Sequence, residues 1–388
     1  TPLYSSAASD VYKRQEQGYI KRMAVSEFET QNRATRGKAG AKIKDDDEMQ
    51  HFLTCCDRDT VLFFSNRGVV YSLSAYQIPA SSRAARGTAI VQLLPIPHEE
   101  KITSVLTVTA FSDDQFLVML TNQGYIKKTA LSAFSNIRAN GLIAISLEEG
   151  DQLRWVRLAR DEESILIGSR SGMAIHFRAT RDQLRPMGRS ARGVRAMNLK
   201  PGDELVAIDI LPGAIVARVD QASEDDGDSG ESSESIEAND QEAIDLTGTD
   251  TEGSDTEGSE NEGSENEGSD SDSPGPWVLV ATARGYGKRV PVEQFKLYNR
   301  ATKGKIVTKF KTGKGIEDGL AGLLVVNDSE EVTIATRRGI IVRQSVNAIP
   351  IQSRGATGVR LQRLDEEDVI AAVALVPPAE EETTTAPE

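Results

Sequence analysis

The strongest constraint on this chain is a hairpin signature written six times. The segments EQGYIKRM, SNRGVVYSL, TNQGYIKKT, SRSGMAIHF, TARGYGKRV and TRRGIIVRQ align on Gly18, Gly68, Gly124, Gly172, Gly285 and Gly339. A short polar stretch ending in Gly between alternating apolar runs marks a tight β-turn, because Gly takes the positive φ that such turns require. Runs such as VLFFS and FLVMLT precede two of the turns and supply the β-rich residues of a buried strand. The turn glycines are spaced by 50, 56, 48, 113 and 54 residues, and the long interval holds a segment of different composition. Six such units, each a small antiparallel sheet, predict an all-β, six-bladed propeller-like ring. A ring covers the strand edges that separate four-stranded sheets would expose.

A second element follows each hairpin. It reads Arg33-Ala-Thr-Arg36-Gly37, Arg83-Ala-Ala-Arg86-Gly87, Arg189-Ser-Ala-Arg192-Gly193 and Arg300-Ala-Thr-Lys303-Gly304; Ile137-Arg138-Ala-Asn-Gly141 and Arg354-Gly-Ala-Thr-Gly358 are looser copies. Between Gln221 and Pro276 the composition changes: 20 Asp and Glu stand with no Lys or Arg. Such a low-complexity, self-repelling stretch cannot bury enough apolar surface to order itself, so it is expected to be a disordered acidic insert. Loop closure costs rise slowly with length, so the blades on either side are expected to pack undisturbed. The insert either competes with an anionic partner for basic surface or is a tolerated extension. The expected organisation is a leader over 1–15, either non-native or an ordinary frayed terminus, four blades over 16–220, the insert over 221–276, two blades over 277–364 and an acidic tail over 365–388. The leader lacks the apolar strand that precedes the other turns, which leaves the first unit short of one native strand.

The formal net charge of -14 hides a basic body. Outside the insert and the tail, 45 Lys and Arg face 31 Asp and Glu. A basic residue stands four places after the turn glycine at Arg22, Lys128, Arg289 and Arg343, and Lys21, Lys127 and Lys288 precede three of these. Equivalent units carry equivalent side chains to equivalent radii, so these cations are expected to line a rim. The loops add Arg33, Arg36, Lys38, Arg83, Arg86, Arg138, Arg189, Arg192, Arg300, Lys303 and Arg354. A curved cationic track suits a duplex backbone, where Lys and Arg neutralise phosphates without reading sequence. A propeller scaffold for acidic protein partners is the other reading; salt dependence separates the two. No residue constellation for catalysis is seen. His51, His98, His176 and the adjacent Cys55 and Cys56 lack metal-site spacing. Adjacent cysteines argue against a framework disulfide and for a reducing, cytoplasmic setting. No apolar run approaches the ~20 residues of a membrane helix.

The six-unit layout, the GYIKR and GYIKK hairpins and the first basic loop resemble the C-terminal domain of the bacterial DNA gyrase A protein. That resemblance implies a six-bladed β-pinwheel that wraps double-stranded DNA around its rim. The family's box, Gln-Arg-Arg-Gly-Gly-(Lys/Arg)-Gly, is matched at Gln31, Arg33, Arg36 and Gly37, while Asn32 replaces an arginine and Ala34 and Thr35 replace glycines. The corresponding domain of topoisomerase IV, which binds or bends DNA without strong wrapping, is the nearest alternative. Box position and six full units favour gyrase. The resemblance further implies a heterotetramer of two gyrase A and two gyrase B chains, negative supercoiling driven by ATP with Mg2+, and no cofactor in this chain. The cleavage tyrosine and the ATP site are absent from it, so it is expected to be inactive alone.

Overall fold

The computed structural model describes residues 8–14, 18–24, 48–82, 85, 87–97, 99–225, 275–310, 318–338, 340–365 and 368–376. Each hairpin forms where the glycine pattern places it. Gly68, Gly124, Gly172 and Gly285 have φ of 77°, 82°, 78° and 84°. The residue ending the strand before the turn is a buried Ser or Thr: the Ser65, Thr121, Thr282 and Thr336 hydroxyls accept the N–H of Val69, Tyr125, Tyr286 and Ile340 at 3.2–3.4 Å. This satisfies a backbone donor at the tight end of these four ladders.

The first sheet pairs β1 (Ala8–Arg14) with β2 (Tyr19–Ala24) and β3 (Glu48–Cys55), and β2 with β6 (Thr88–Ala89). The second holds β4 (Thr60–Ser65), β5 (Val69–Ser74), β7 (Ile102–Val108) and β10 (Leu142–Ile143). The third holds β8 (Phe116–Thr121), β9 (Tyr125–Ala130), β11 (Leu153–Ala159) and β14 (Val194–Arg195). The fourth holds β12 (Ser164–Ser169), β13 (Met173–Arg178), β15 (Leu205–Leu211) and β18 (Lys305–Ile306). The fifth holds β16 (Trp277–Thr282), β17 (Tyr286–Pro291), β19 (Leu320–Val326) and β22 (Val359–Arg360). In the sixth, β20 (Glu331–Thr336) lies between β21 (Ile341–Ser345) and β23 (Ile370–Val376). The innermost strands β3, β7, β11, β15, β19 and β23 touch in succession, and β23 touches β3, closing the ring.

Apolar residues from facing sheets make the joints. Val118, Leu120 and Ile126 of the third sheet pack with Ile165, Ile167, Ile175 and Phe177 of the fourth. Val332 and Ile334 of the sixth pack with Trp277 and Leu279 of the fifth. Strand runs such as β8 and β12 are buried at every position because both faces of each sheet are covered by neighbours.

Several sequence expectations are corrected. The outermost strand of each four-stranded sheet is not local: β6, β10, β14, β18 and β22 come from the loop of the following unit and lie against the preceding sheet. The sixth sheet has three strands among the described residues, not four. Residues 8–14, read as a leader outside the ring, form the middle strand β1 of the first sheet; pairing on both sides needs only backbone groups and the turn at Gly18. A helix α1 (Gly213–Asp225) extends past the expected start of the insert, and Arg218 reaches from it to Gly275 O at 2.7 Å and Glu293 at 2.6 Å. The rest of the expected disorder falls on residues outside those described. The expected tail begins too early, since 365–388 contains β23, the innermost strand of the sixth sheet; its IAAVALV run outweighs the flanking acids.

Candidate nucleic-acid interface

The loops that hand their strands backward cross the outer edge of the ring, and a glycine lets each make the crossing. A Cβ on Gly193 would lie 2.4 Å from Ile126 O, on Gly304 2.4 Å from Ala174 O, and on Gly358 2.6 Å from Gly287 O. Positive φ at all three, 103°, 75° and 93°, leaves glycine as the residue that fits both the space and the conformation. The recurrent Gly of the R-x-x-[RK]-G element is therefore a crossing point between two sheets.

The hairpin cations do not form the expected rim. Lys21, Lys127, Lys128, Lys288 and Arg289 are all buried. Lys127 Nζ donates to Gly188 O, Arg189 O and Ala191 O at 3.0, 2.6 and 3.1 Å. Lys288 Nζ donates to Ser353 O, Arg354 O and Ala356 O at 2.8, 2.7 and 2.6 Å. Lys21 Nζ donates to Ser82 O and Ala85 O at 3.3 and 3.0 Å. Burial first, and then the charge of Arg189 or Arg354, pulls Lys127 and Lys288 each down to about 8. The carbonyl acceptors favour the charged form and oppose that pull.

The next residue ties one unit to the following one in the first, third and fifth hairpins. Arg22 pairs with Asp57 at 2.7 Å and Lys128 with Asp161 at 2.5 Å, while Arg289 pairs with Asp328. Arg289 Nε also donates to Ile349 O at 2.5 Å, and burial draws its guanidinium down against the opposing pull of Asp328. Arg343 pairs with Glu331 inside its own sheet at 2.5 Å. In the fourth unit His176 takes this place: Nδ1 donates to Phe295 O at 2.7 Å, and Nε2 accepts from Ser164 Oγ at 2.6 Å. Burial holds its imidazole near 4, so it is neutral at physiological pH. These charges hold the joints.

The loop cations divide. Arg138, Arg192 and Lys303 are exposed, whereas Arg189, Arg300 and Arg354 are half-buried. Arg300 Nε donates to Gln183 O at 2.5 Å, and Arg354 Nη1 to Gln294 O at 3.1 Å, which fixes two loops onto neighbouring structure. Arg192 pairs with Glu148 while its guanidinium lies 4.4 Å from the Tyr125 ring centre. A groove of about 930 Å³ runs between two adjacent loops, bordered by Arg138, Gly141 and Ile143 on one side and Arg189 and Ser190 on the other. Gln31, Asn32, Arg33, Ala34, Thr35, Arg36, Gly37, Lys38, Arg83 and Arg86 lie outside the described residues.

The sequence reading missed two exposed arginines. Arg195 lies over Tyr125 at 4.5 Å and donates to Tyr125 Oη at 3.2 Å; Arg360 lies over Tyr286 at 5.4 Å and donates to Tyr286 Oη at 2.9 Å. Both stand two places after the loop glycine, in Gly193-Val-Arg195 and Gly358-Val-Arg360, and each meets a Tyr one place after a turn glycine. That paired spacing was the signal. Arg195 Nη1 also donates to Gln123 O at 2.7 Å; with five N–H groups, a guanidinium seated over an aromatic ring retains further donors for an anion.

The model of the DNA gyrase C-terminal domain, beta-propeller, matches the chain in six segments: 16–56, 59–109, 115–160, 163–212, 276–327 and 330–377. The chain belongs to this family. The DNA gyrase A protein of Synechocystis sp. is 59% identical over 367 residues, covering 95% of this chain and 39% of the relative. The chloroplastic/mitochondrial DNA gyrase A protein of Arabidopsis thaliana is 36% identical over 377 residues, covering 95% of this chain and 35% of the relative. The chain thus spans less than two fifths of the length of either curated relative. A solved DNA gyrase A C-terminal domain superposes with a TM-score of 0.69 at 20% identity, covering 95% of this chain and 99% of that one. The C-terminal domain of a DNA topoisomerase IV gives 0.62 at 21% identity, over 97% and 94% of the two chains. Those two likenesses speak for the fold. Each of the last five family segments carries one whole hairpin, the first starts at 16 and so takes in β2 but not β1, and the interval between 212 and 276 holds α1 and the acidic stretch.

Proposed function

We propose that this gyrase C-terminal domain binds double-stranded DNA along the outer edge of its ring and wraps it there without reading its sequence. The observation that carries the reading is the repeated crossing loop, which brings Arg192, Arg195, Lys303, Lys305 and Arg360 to the outer edge on successive sheets. Phosphates along a curved duplex would be neutralised in turn, and the summed contacts offset a bending cost on the order of several kcal/mol. The Lys and Arg of the first basic loop, including Arg33, Arg36 and Lys38, are assigned to the same path by their place in the repeat. Within a whole gyrase, the domain would present wrapped DNA to the breakage machinery of two gyrase A and two gyrase B chains, supporting negative supercoiling driven by ATP with Mg2+. A cytoplasmic setting belongs to the same proposal; among the described residues no helix is long and apolar enough to cross a membrane.

A topology assay tests this. The chain is bound to nicked circular DNA, the nick is sealed by ligase, and the topoisomers are resolved after protein removal. A shift in linking number that grows with protein and disappears at high salt is expected. Binding with unshifted topoisomers would reduce the function to bending or simple attachment, and binding to acidic proteins in preference to duplex would replace it.

A further inference from the structure

Every second joint of the ring contains the same buried device. Lys127 and Lys288 each gather three carbonyls of the following unit's loop on one ammonium, and Lys21 gathers two among the described residues. The second, fourth and sixth units place Tyr71, Ile175 and Val342 at that position, so the device alternates around the ring. Its effect on the backbone follows from peptide planarity. The N–H of a trans peptide points opposite to the C=O of the preceding residue. With Arg189 O and Ala191 O drawn inward to Lys127, the amides of Ser190 and Arg192 face outward; with Arg354 O and Ala356 O drawn to Lys288, those of Gly355 and Thr357 do so. At the surface Ser190 O accepts Ser146 Oγ at 2.7 Å, which ties the loop to the preceding one. Outward-facing amides beside arginine side chains form a concavity suited to one phosphate oxygen or two.

We infer that Lys127 and Lys288 are positioning residues that fold two loops into phosphate-binding cradles, in which main-chain amides act together with the neighbouring arginines on the DNA backbone. This rests on the DNA-binding reading above and adds to it which groups make the contact. The ammonium groups never touch DNA in this scheme. An ammonium offers three N–H groups in a tripod, which is the geometry three converging carbonyls require. A guanidinium is planar and cannot meet all three, so arginine is not a conservative replacement here.

The test uses the full chain carrying K127M and K288M together, and in parallel K127R and K288R together. Hydrogen exchange is followed over peptides covering 186–196 and 351–361, and duplex affinity is measured from low to moderate salt. Both double variants are expected to melt cooperatively as rings. Their loop amides should exchange about tenfold faster, the mark of a local opening made easier. Duplex affinity should fall by about tenfold or more at ~0.1 M salt, with a shallower salt slope as the loop arginines lose their seats. If a double variant does not fold, the single variant K288M, which leaves the other two clamps intact, is compared at the 351–361 loop alone. Arginine variants that bind as the native chain does would make the lysines direct charges and overturn the inference. Unchanged exchange and affinity in the methionine variants would also overturn it. Faster exchange with unchanged affinity would show the cradles are not contacts. Failure of the native chain itself to bind duplex would instead sink the underlying reading, with the loop exchange still reporting on the clamps.

Discussion

Replacing Arg195 and Arg360 together with alanine is expected to weaken duplex binding in a way that can be worked out beforehand. Each guanidinium is exposed on a tyrosine at the outer edge, and each lies on a strand of only two residues. Neutralising one phosphate of B-DNA contributes about 0.9 to the slope of log affinity against log salt. Measured against 1 M salt, one such contact is worth about 0.9 of a decade at 0.1 M, or about eightfold. Two contacts then give about 60-fold at 0.1 M, and the slope becomes shallower by about 1.8. Lost stacking on Tyr125 and Tyr286 costs the fold only about 0.5–1 kcal/mol per site, so the ring stays intact. The assay is fluorescence anisotropy of a labelled duplex at several salt concentrations, with R67A as the control, because Arg67 is committed to Glu99 at a hairpin turn. An affinity loss with an unchanged slope would refute phosphate contact by these arginines, and an unchanged affinity would remove them from the path altogether.

Three further outcomes follow from the joints. G193A should destabilise the ring by roughly 2–3 kcal/mol in urea unfolding, since its Cβ would meet Ile126 O at 2.4 Å in a φ of 103°. Acid should weaken the fold through His176: the imidazole is held near 4 in the fold and titrates near 6.5 when unfolded, so between these pH values the unfolded chain binds the extra proton. Stability should therefore fall as pH drops through this window, by up to about 3 kcal/mol at pH 4, and the pH dependence of H176Q should be flatter by that amount. On the alkaline side the sign is the same. Lys127 and Lys288 sit near 8 in the fold against 10.5 unfolded, so the native state binds fewer protons between those values and urea midpoints should rise from pH 8 to pH 10. The rise should shrink in the variant carrying both methionine replacements.

The parts of this fold legible in the sequence were those written as periodic pattern. The turn glycines announce themselves because positive φ leaves few other residues, and FLVMLT or WVLVAT reads as a strand covered on both faces. The handed-over strands were not legible, since two residues such as Val194-Arg195 carry no period. The cations posed a different difficulty. A lysine after a turn looks the same in sequence whether its ammonium meets water or a ring of carbonyls, and burial is decided by a loop some sixty residues further on. One clue was present in retrospect: Arg22, Lys128 and Arg289 are followed by Asp57, Asp161 and Asp328 at separations of 35, 33 and 39 residues. A cation and an acid that keep company across units in this way are partners in a joint. The loop cations were legible only in part: Arg138, Arg192 and Lys303 are exposed, whereas Arg300 and Arg354 are half-buried against carbonyls of neighbouring structure that the loop sequence does not name.

Because the outermost strand of each four-stranded sheet is borrowed from the unit that follows it, none of the first five units builds its blade alone. A cut anywhere along the ring leaves some sheet holding a piece of its neighbour, much as the flaps of a closed carton hold one another down. Load applied at one point of the circumference, such as the pull of a stiff polymer being curved, is passed along the covalent chain into the next sheet. The domain should accordingly melt as one body rather than peel off sheet by sheet.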